Sequence, residues 1–225
     1  MSLKVLAIIP ARGGSKGLPR KNIIDFDGKP LIAWTIEASL NSKYISKTVV
    51  SSDDDEILNI SKKYGSDTIK RPFDLASDNA TSESVVKHAI DYLSSNGEEF
   101  DILILLQPTS PLRTAIDIDE GFGIMFHSEA TAVISVCEYD SKILKSCKEN
   151  EKGFLEGVSK NEYLFMKRQD LPIVYMPNGA FYIIYKSLFL DRITFMTDNT
   201  SPYVMPVNLS VDIDTIEDIN NIEKD

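Results

Sequence analysis

Two stretches near opposite ends of the chain hold residue types that could do chemistry together. Residues 7–22 read AIIPARGGSKGLPRKN, in which Gly13, Gly14 and Gly17 sit among the cations Arg12, Lys16, Arg20 and Lys21. Glycine permits positive φ and close backbone approach, so amide N–H groups in such a loop can turn toward an anion while the cations neutralise it. In a chain whose formal net charge is -10, cations gathered beside glycines after an apolar strand read as a cradle for a polyphosphate. The spacing is neither G-x-x-x-x-G-K-[ST] nor G-x-G-x-x-G, which argues against a P-loop ATPase and against a dinucleotide oxidoreductase.

Residues 208–219 read NLSVDIDTIEDI. Alternation of Val211 and Ile213 with Asp212 and Asp214 sets both carboxylates on one side of an extended strand. Like charges side by side are costly unless a cation shares them. Mg2+ or another divalent cation suits them, because a hard ion takes oxygen ligands and is usually completed by substrate phosphates. In the alternative, Asp214 caps a final helix whose first turn holds Glu217 and Asp218.

Between these ends lie other candidates. Arg71 follows an apparent strand near Ile69 and offers a planar fork for phosphate or ribose oxygens. Ser82 opens the next helix, where its hydroxyl can meet a ligand or serve only as the N-cap. Gln107 stands at the end of a strand before a prolyl break, a place where ligands lie in α/β sheets. Arg113 reads as a structural cap or pair. His88 and His127 have no evident partners and read as packed or surface residues, Cys137 as a buried thiol and Cys147 as an ordinary one.

The elements that must position these groups alternate. Apolar, β-branched runs at 5–9, 48–51, 102–106, 131–136 and 181–185 read as strands. Helical patterns at 30–40, 53–64, 82–93 and 115–126 fall between them, with a first-turn proline at Pro30 and capping aspartates at the second. The alternation predicts an α/β fold, a mainly parallel twisted sheet with helices on both faces, whose ligands sit beyond the carboxyl ends of the strands. The rhythm fails over 138–177, where charged, weakly periodic segments predict an extension away from the sheet.

At 225 residues the chain reads as a single domain, 1–225, with 138–177 inserted as a dimerisation arm. The acidic balance argues against nucleic acid or an anionic membrane as partner. No apolar run is long enough to span a bilayer and the N-terminus turns polar too soon for a signal peptide, so a cytoplasmic protein is expected.

The stretch IPARGGSKGLPRKNI resembles the signature of the CMP-sialic acid synthetases, cytidylyltransferases acting on N-acylneuraminate and related nonulosonic acids. KRPFDLASDNATSESVVKHAI, LLQPTSPLR, KRQDLPIVYMPNGAFY and VDIDTIEDI follow in that family's order and carry the likeness across the chain. The resemblance implies a Rossmann-like nucleotide-diphospho-sugar transferase fold and a reaction of CTP with a nonulosonic acid that forms the CMP-sugar and pyrophosphate. It assigns Arg12, Gly13, Gly14, Ser15, Lys16, Lys21, Asn22, Arg71, Ala80 and Ser82 to the nucleotide, with Lys21 nearest the α-phosphate and Ala80 and Ser82 near the cytosine. Gln107, Lys145, Arg168, Asn178, Gly179, Ala180 and Tyr182 fall to the sugar acid, and Asp212 and Asp214 to the metal.

Lys21, Arg12 and Asp214 then carry catalysis, the first two stabilising phosphoryl charge and Asp214 or its partner accepting the sugar proton. Phe195 is a candidate lining of the N-acyl pocket. Met176 departs from the basic residue that some sialic acid enzymes carry before the Pro-Asn-Gly-Ala turn, which leaves room for legionaminic or pseudaminic acid. A Kdo cytidylyltransferase and a nucleotide-binding homologue without turnover are the alternatives. The arm is expected to bury itself on a second subunit, making a homodimer whose sites borrow residues such as Arg168.

Overall fold

The computed structural model describes residues 3–15, 17–77 and 79–222. In chain order the elements are β1 (Val5–Pro10), β2 (Asp25–Phe26), β3 (Lys29–Pro30), α1 (Leu31–Leu40), β4 (Lys47–Ser52), α2 (Asp55–Lys63), β5 (Asp67–Lys70), α3 (Ser82–Ser95), β6 (Ile102–Leu105) and α4 (Ala115–His127). They continue with β7 (Ala132–Tyr139), β8 (Cys147–Glu149), β9 (Leu155–Gly157), β10 (Val174–Tyr185), α5 (Lys186–Arg192), β11 (Thr200–Val204) and α6 (Ile216–Asn221). Among the described residues no helix is long and apolar enough to cross a membrane.

Seven strands form one sheet in the order β11-β7-β10-β6-β1-β4-β5. The expected mainly parallel sheet is present: β6, β1, β4 and β5 pair in parallel, as do β7 and β11. β10 runs antiparallel to both β6 and β7, as its hairpin-like return from β7 requires.

Strand β1 explains why the sheet is covered on both sides. Val5, Ala7 and Ile9 pack into one core with α1, α2 and α4, through Ile32, Ile36, Ile57, Ile118 and Phe122. Leu6 and Ile8 point the other way, against Val86, Ala89 and Leu93 of α3 and Phe189 of α5. A strand buried on both faces reads as an unbroken apolar run, which is how it appears in the sequence.

The carboxyl ends of β1, β4, β5 and β6 lead directly into residues 11–22, Asp53 and Asp54, Arg71, and Gln107. Side by side in the sheet, these strands gather segments that are distant in sequence along one edge, where ligands of open α/β sheets bind.

The segment expected to leave the sheet is shorter at both ends than 138–177. Glu138 and Tyr139 belong to β7, and residues 174–177 belong to β10 and pair with residues 136–139 of β7. Between Tyr139 and Val174 the chain forms short 3-10 turns and the small β8–β9 ladder, exposing Phe154, Leu155, Phe165 and Ile173. Strand β11 was missed because Thr200–Val204 is short, polar and holds Pro202, which an edge strand tolerates. Cys137 is half-buried rather than buried, and Cys147 is exposed.

Helix α4 rests on β10 through Gly121, where an added β-carbon would fall 2.7 Å from the Phe181 ring. Gly121→Val should overpack this contact and cost about 1–3 kcal/mol. Urea unfolding checks it, and an unchanged midpoint would mean that the helix can move off the sheet freely.

Candidate active site

A cavity of about 560 Å³ opens along the carboxyl ends of the parallel strands. Arg12, Ser15, Lys21, Asn22, Arg71, Ala80, Ser82, Gln107, Asp212 and Asp214 all line it. The sequence reading had not marked Leu75, Ser77, Thr81 or Thr109, which line it as well. They lie within four residues of marked positions, in the turn after Arg71, at the N-cap of α3 and after Gln107, and nothing in residue type sets them apart. Lys16 lies outside the described residues.

The first loop is held by its own contacts. Gly13 N–H donates to Asp53 Oδ1 (3.0 Å), and buried Asn22 donates through Nδ2 to the Arg12 carbonyl (2.9 Å). Close approach requires glycine at Gly13 and Gly17, whereas Gly14 has open space around it, and neither Gly13 nor Gly14 adopts positive φ. A β-carbon on Gly13 would lie 2.8 Å from Asp54 Oδ2, and one on Gly17 would lie 2.9 Å from the Asp214 carbonyl oxygen. The expected inward-turned amide is therefore corrected at Gly13, whose N–H is spent on Asp53, and Gly14 does not line the cavity.

Arg20, one of the four cations of the loop, turns to Asp54 and Glu56. It adopts the left-handed conformation, φ 60°. Its hydrogen bond is the main reason that the Asp54 carboxyl is held below its usual range, with the backbone N–H groups of the α2 cap helping and burial opposing.

Lys21 Nζ donates to Asp214 Oδ1 at 2.7 Å, joining the basic loop to the acidic segment. Residues 211–214 belong to no strand, so the expected extended strand is corrected, but the alternation holds. Ile213 is fully buried and its N–H donates to the Thr109 carbonyl (2.9 Å), while Asp212 and Asp214 face outward.

Thr215, not Asp214, caps α6, in a capping box with Asp218. That removes the purely structural role for Asp214 considered above. Loss of water from around it pushes the Asp212 carboxyl up, a hydrogen bond from Thr109 opposes this, and neighbouring Asp214 adds to it. Among the described residues no three His, Cys, Asp or Glu side chains cluster as a metal cage. Asp212 and Asp214 are the donors at hand, and a pair of crowded carboxylates suits an ion that draws its other ligands from water and phosphate.

Arg71 is almost wholly buried, giving Nη1 to the Leu75 carbonyl (3.3 Å) while Nε has no hydrogen-bond partner. Burial lowers its pKa from the usual value, Asp53 opposes that, and Arg12 adds to it. The buried guanidinium thus lines the cavity with one of its donors still unbonded. The N-cap of α3 is Thr81, whose hydroxyl accepts from Ser84 N–H, so Ser82 is not the cap and its hydroxyl is spare for the cavity.

Ser82 and Gln107 also line a second, smaller cavity of about 220 Å³, with Tyr182, Phe195, Leu105 and Ile134. Phe195 is both core and lining, packed on Phe189 and Tyr182. Burial raises the Tyr182 hydroxyl, and Asp212 and Glu83 act in the same direction.

The rest of the block expected to meet the sugar does other work. Asn178 is tied to Ser210 and Met205, Gly179 (φ 76°) backs the Gln107 side chain, and the Ala180 carbonyl is taken by Arg113. Lys145 and Arg168 line neither cavity, and Arg168 lies exposed beside Asp140 at 3.6 Å. His88, His127 and Met176 line neither cavity either.

Residues 6–224 match the family profile described as Cytidylyltransferase. The pseudaminic acid cytidylyltransferase of Campylobacter jejuni subsp. jejuni serotype O:2 is 37% identical over 221 residues, covering 96% of this chain and 94% of that protein. The N-acylneuraminate cytidylyltransferase of Escherichia coli O18:K1:H7 is 34% identical over 217 residues, covering 95% of this chain and 50% of that protein. A solved structure of CMP:2-keto-3-deoxy-manno-octonic acid synthetase complexed with CTP superimposes with a TM-score of 0.69 at 16% identity, covering 97% of this chain and 96% of that one. At that identity the likeness is one of fold.

The Arg20–Asp54 pair generates a pH test. Asp54 is depressed in the folded state, so the pair's contribution is fully present above the unfolded carboxyl pKa of about 3.9 and is lost as pH falls through the lower folded value. Arg20→Met should therefore lower stability at neutral pH, with the deficit closing in acid. Urea titrations at stepped pH check this, and a deficit independent of pH would contradict it.

Proposed function

The chain belongs to the cytidylyltransferase family, and from that premise we propose that it couples a nonulosonic acid to CMP, with CTP as the nucleotide substrate and pyrophosphate as the second product. The observation that carries the reading is a single cavity lined both by Lys21 and Arg12 of the basic loop and by Asp212 and Asp214. Pseudaminic acid stands ahead of N-acetylneuraminic acid, because a relative 37% identical over 96% of this chain bears that name.

In this reading the triphosphate lies along Arg12, Ser15, Lys21 and Asn22, with Lys16 from the same loop. The nucleoside lies toward Arg71, Ala80 and Ser82. Gln107 stands between the nucleotide and the second cavity, whose apolar wall of Leu105, Ile134 and Phe195 suits an acylamino group, with Tyr182 beside it.

The anomeric hydroxyl oxygen attacks the α-phosphorus, forming the new P–O bond as the bond to the pyrophosphate oxygen breaks. Its proton passes to Asp214 of the acidic pair. Lys21 and Arg12 stabilise the charge that builds on the phosphoryl oxygens, where preorganised cations act most strongly. Asp212 and Asp214 would hold a divalent cation such as Mg2+, which when bound supplies charge neutralisation and acidifies a coordinated hydroxyl.

Lys145 and Arg168 serve the sugar acid from another subunit in this reading. Neither lines a cavity of its own chain, and this together with the exposed Phe154, Leu155, Phe165 and Ile173 supports a homodimer joined through the arm. A cytoplasmic setting fits the use of CTP.

Pyrophosphate release from CTP and Mg2+ with pseudaminic, legionaminic, N-acetylneuraminic and Kdo acids tests the assignment. Turnover with at least one nonulosonic acid is expected, and silence on all four would count heavily against it. Lys21→Ala should lower kcat by about 100- to 1,000-fold. Light scattering should give twice the chain mass at micromolar concentration, and a monomer would remove the shared site.

A further inference from the structure

Among the described residues Arg113 is the largest fully buried side chain, 2% exposed, and no carboxylate lies within ion-pair distance of it. Instead its planar fork serves neutral acceptors on three separate elements. Nε donates to the Ala180 carbonyl of β10 (3.0 Å), and Nη2 donates to Thr35 Oγ1 of α1 (2.8 Å) and to the Gln107 carbonyl beyond β6 (3.3 Å). Thr35 in turn points its hydroxyl at the same Gln107 carbonyl, at 3.5 Å. Ser110 adds a parallel tie to the Asn178 carbonyl at 3.2 Å.

These contacts converge on one residue. The Gln107 side chain lies so close to Gly179 that a β-carbon there would fall 2.2 Å from its Oε1. The register of β10 against β7 shifts between Pro177 and Tyr182, so the bulge that presents Gly179 to Gln107 is also the segment whose Ala180 carbonyl Arg113 holds. Gln107 lines both cavities and stands at their junction.

An isolated buried cation is costly unless its donors are used, and here Nε and Nη2 are used while buried Nη1 has no hydrogen-bond partner. A hydrophobic residue of similar size would have filled the same space without that cost. Burial pulls the guanidinium down to about 10, Asp117 opposing, so it stays charged at neutral pH.

We infer that Arg113 is a positioning residue for the transfer reaction, fixing Gln107 between the nucleotide and the sugar acid by clamping the loop after β6 to the bulge of β10. The inference rests on the cytidylyltransferase reading for its consequence in turnover, but the placement of Gln107 can be observed without turnover. Lysine would keep the charge and lose the fork, so Arg113→Lys is not a neutral change.

The chain has only two glutamines, Gln107 and Gln169. Labelling glutamine side-chain amides with 15N therefore gives one reporter at the junction and one control on the arm, assigned with Gln107→Ala. In Arg113→Lys, and in Thr35→Val should the first variant fold poorly, the Gln107 signal is expected to shift or broaden while Gln169 holds. KM for the acid should rise about tenfold with KM for CTP within about threefold, and adding Arg113→Lys to Gln107→Ala should cost little more than Gln107→Ala alone. An unmoved Gln107 signal in a folded variant would overturn the inference. So would losses that multiply in the double variant, or a fall in stability with both KM values intact. If the wild-type chain turns over no acid at all, the reaction assignment fails, and the amide signals alone decide whether Arg113 positions Gln107.

Discussion

Lys21 meets Asp214 across 193 residues of sequence, yet the ion pair itself is a weak fastener. Asp214 is 70% exposed, and exposed pairs contribute about 0–1 kcal/mol. The apolar cluster beneath it is a stronger clasp. Phe26, Leu31 and Ile213 are buried together, with Leu18, Trp34, Leu112, Val211, Ile219 and Ile222 packed around them. Each such side chain, fully buried, contributes about 1.5–3 kcal/mol. The tail is held by its hydrophobic side, and the aspartates are carried into the cavity by alternation with it.

The same logic governs the opposite wall. Arg71 and Arg113 are both buried without a carboxylate in hydrogen-bond contact and each keeps one unbonded nitrogen, but Arg71 lines the cavity while Arg113 is wired to Thr35 and to two backbone carbonyls. Arg20 is the contrast: partly exposed, paired with Asp54 and Glu56, it shapes the first loop from outside. Three arginines in motif blocks thus do three different things, and burial and partners separate them where residue type does not.

Much of the architecture was legible because it follows periodicity. β1 and β6 announce themselves as apolar runs buried on both faces, and the helices over 55–63 and 82–95 by their apolar spacing. Caps were less legible, since Thr81 and Ser82, or Asp214 and Thr215, are adjacent residues equally able to cap. Only backbone geometry chose Thr81 and Thr215, which left Ser82 and Asp214 to line the cavity. The inner part of β10 was read as a strand over 181–185, but not its outer part, which holds Pro177 and Gly179 and pairs through a bulge.

By itself the sequence determined which residues carry charge, which stretches alternate, and which blocks belong together, because these are local properties of residue type and spacing. Tertiary structure decided what each group faces. It turned Gly13 to Asp53, spent Asn178 and Ala180 on internal contacts, left Lys145 and Arg168 outside both cavities, and made Arg113 a hub. Those outcomes depend on contacts between residues far apart in the chain, and no local pattern encodes the direction in which a side chain finds its partner.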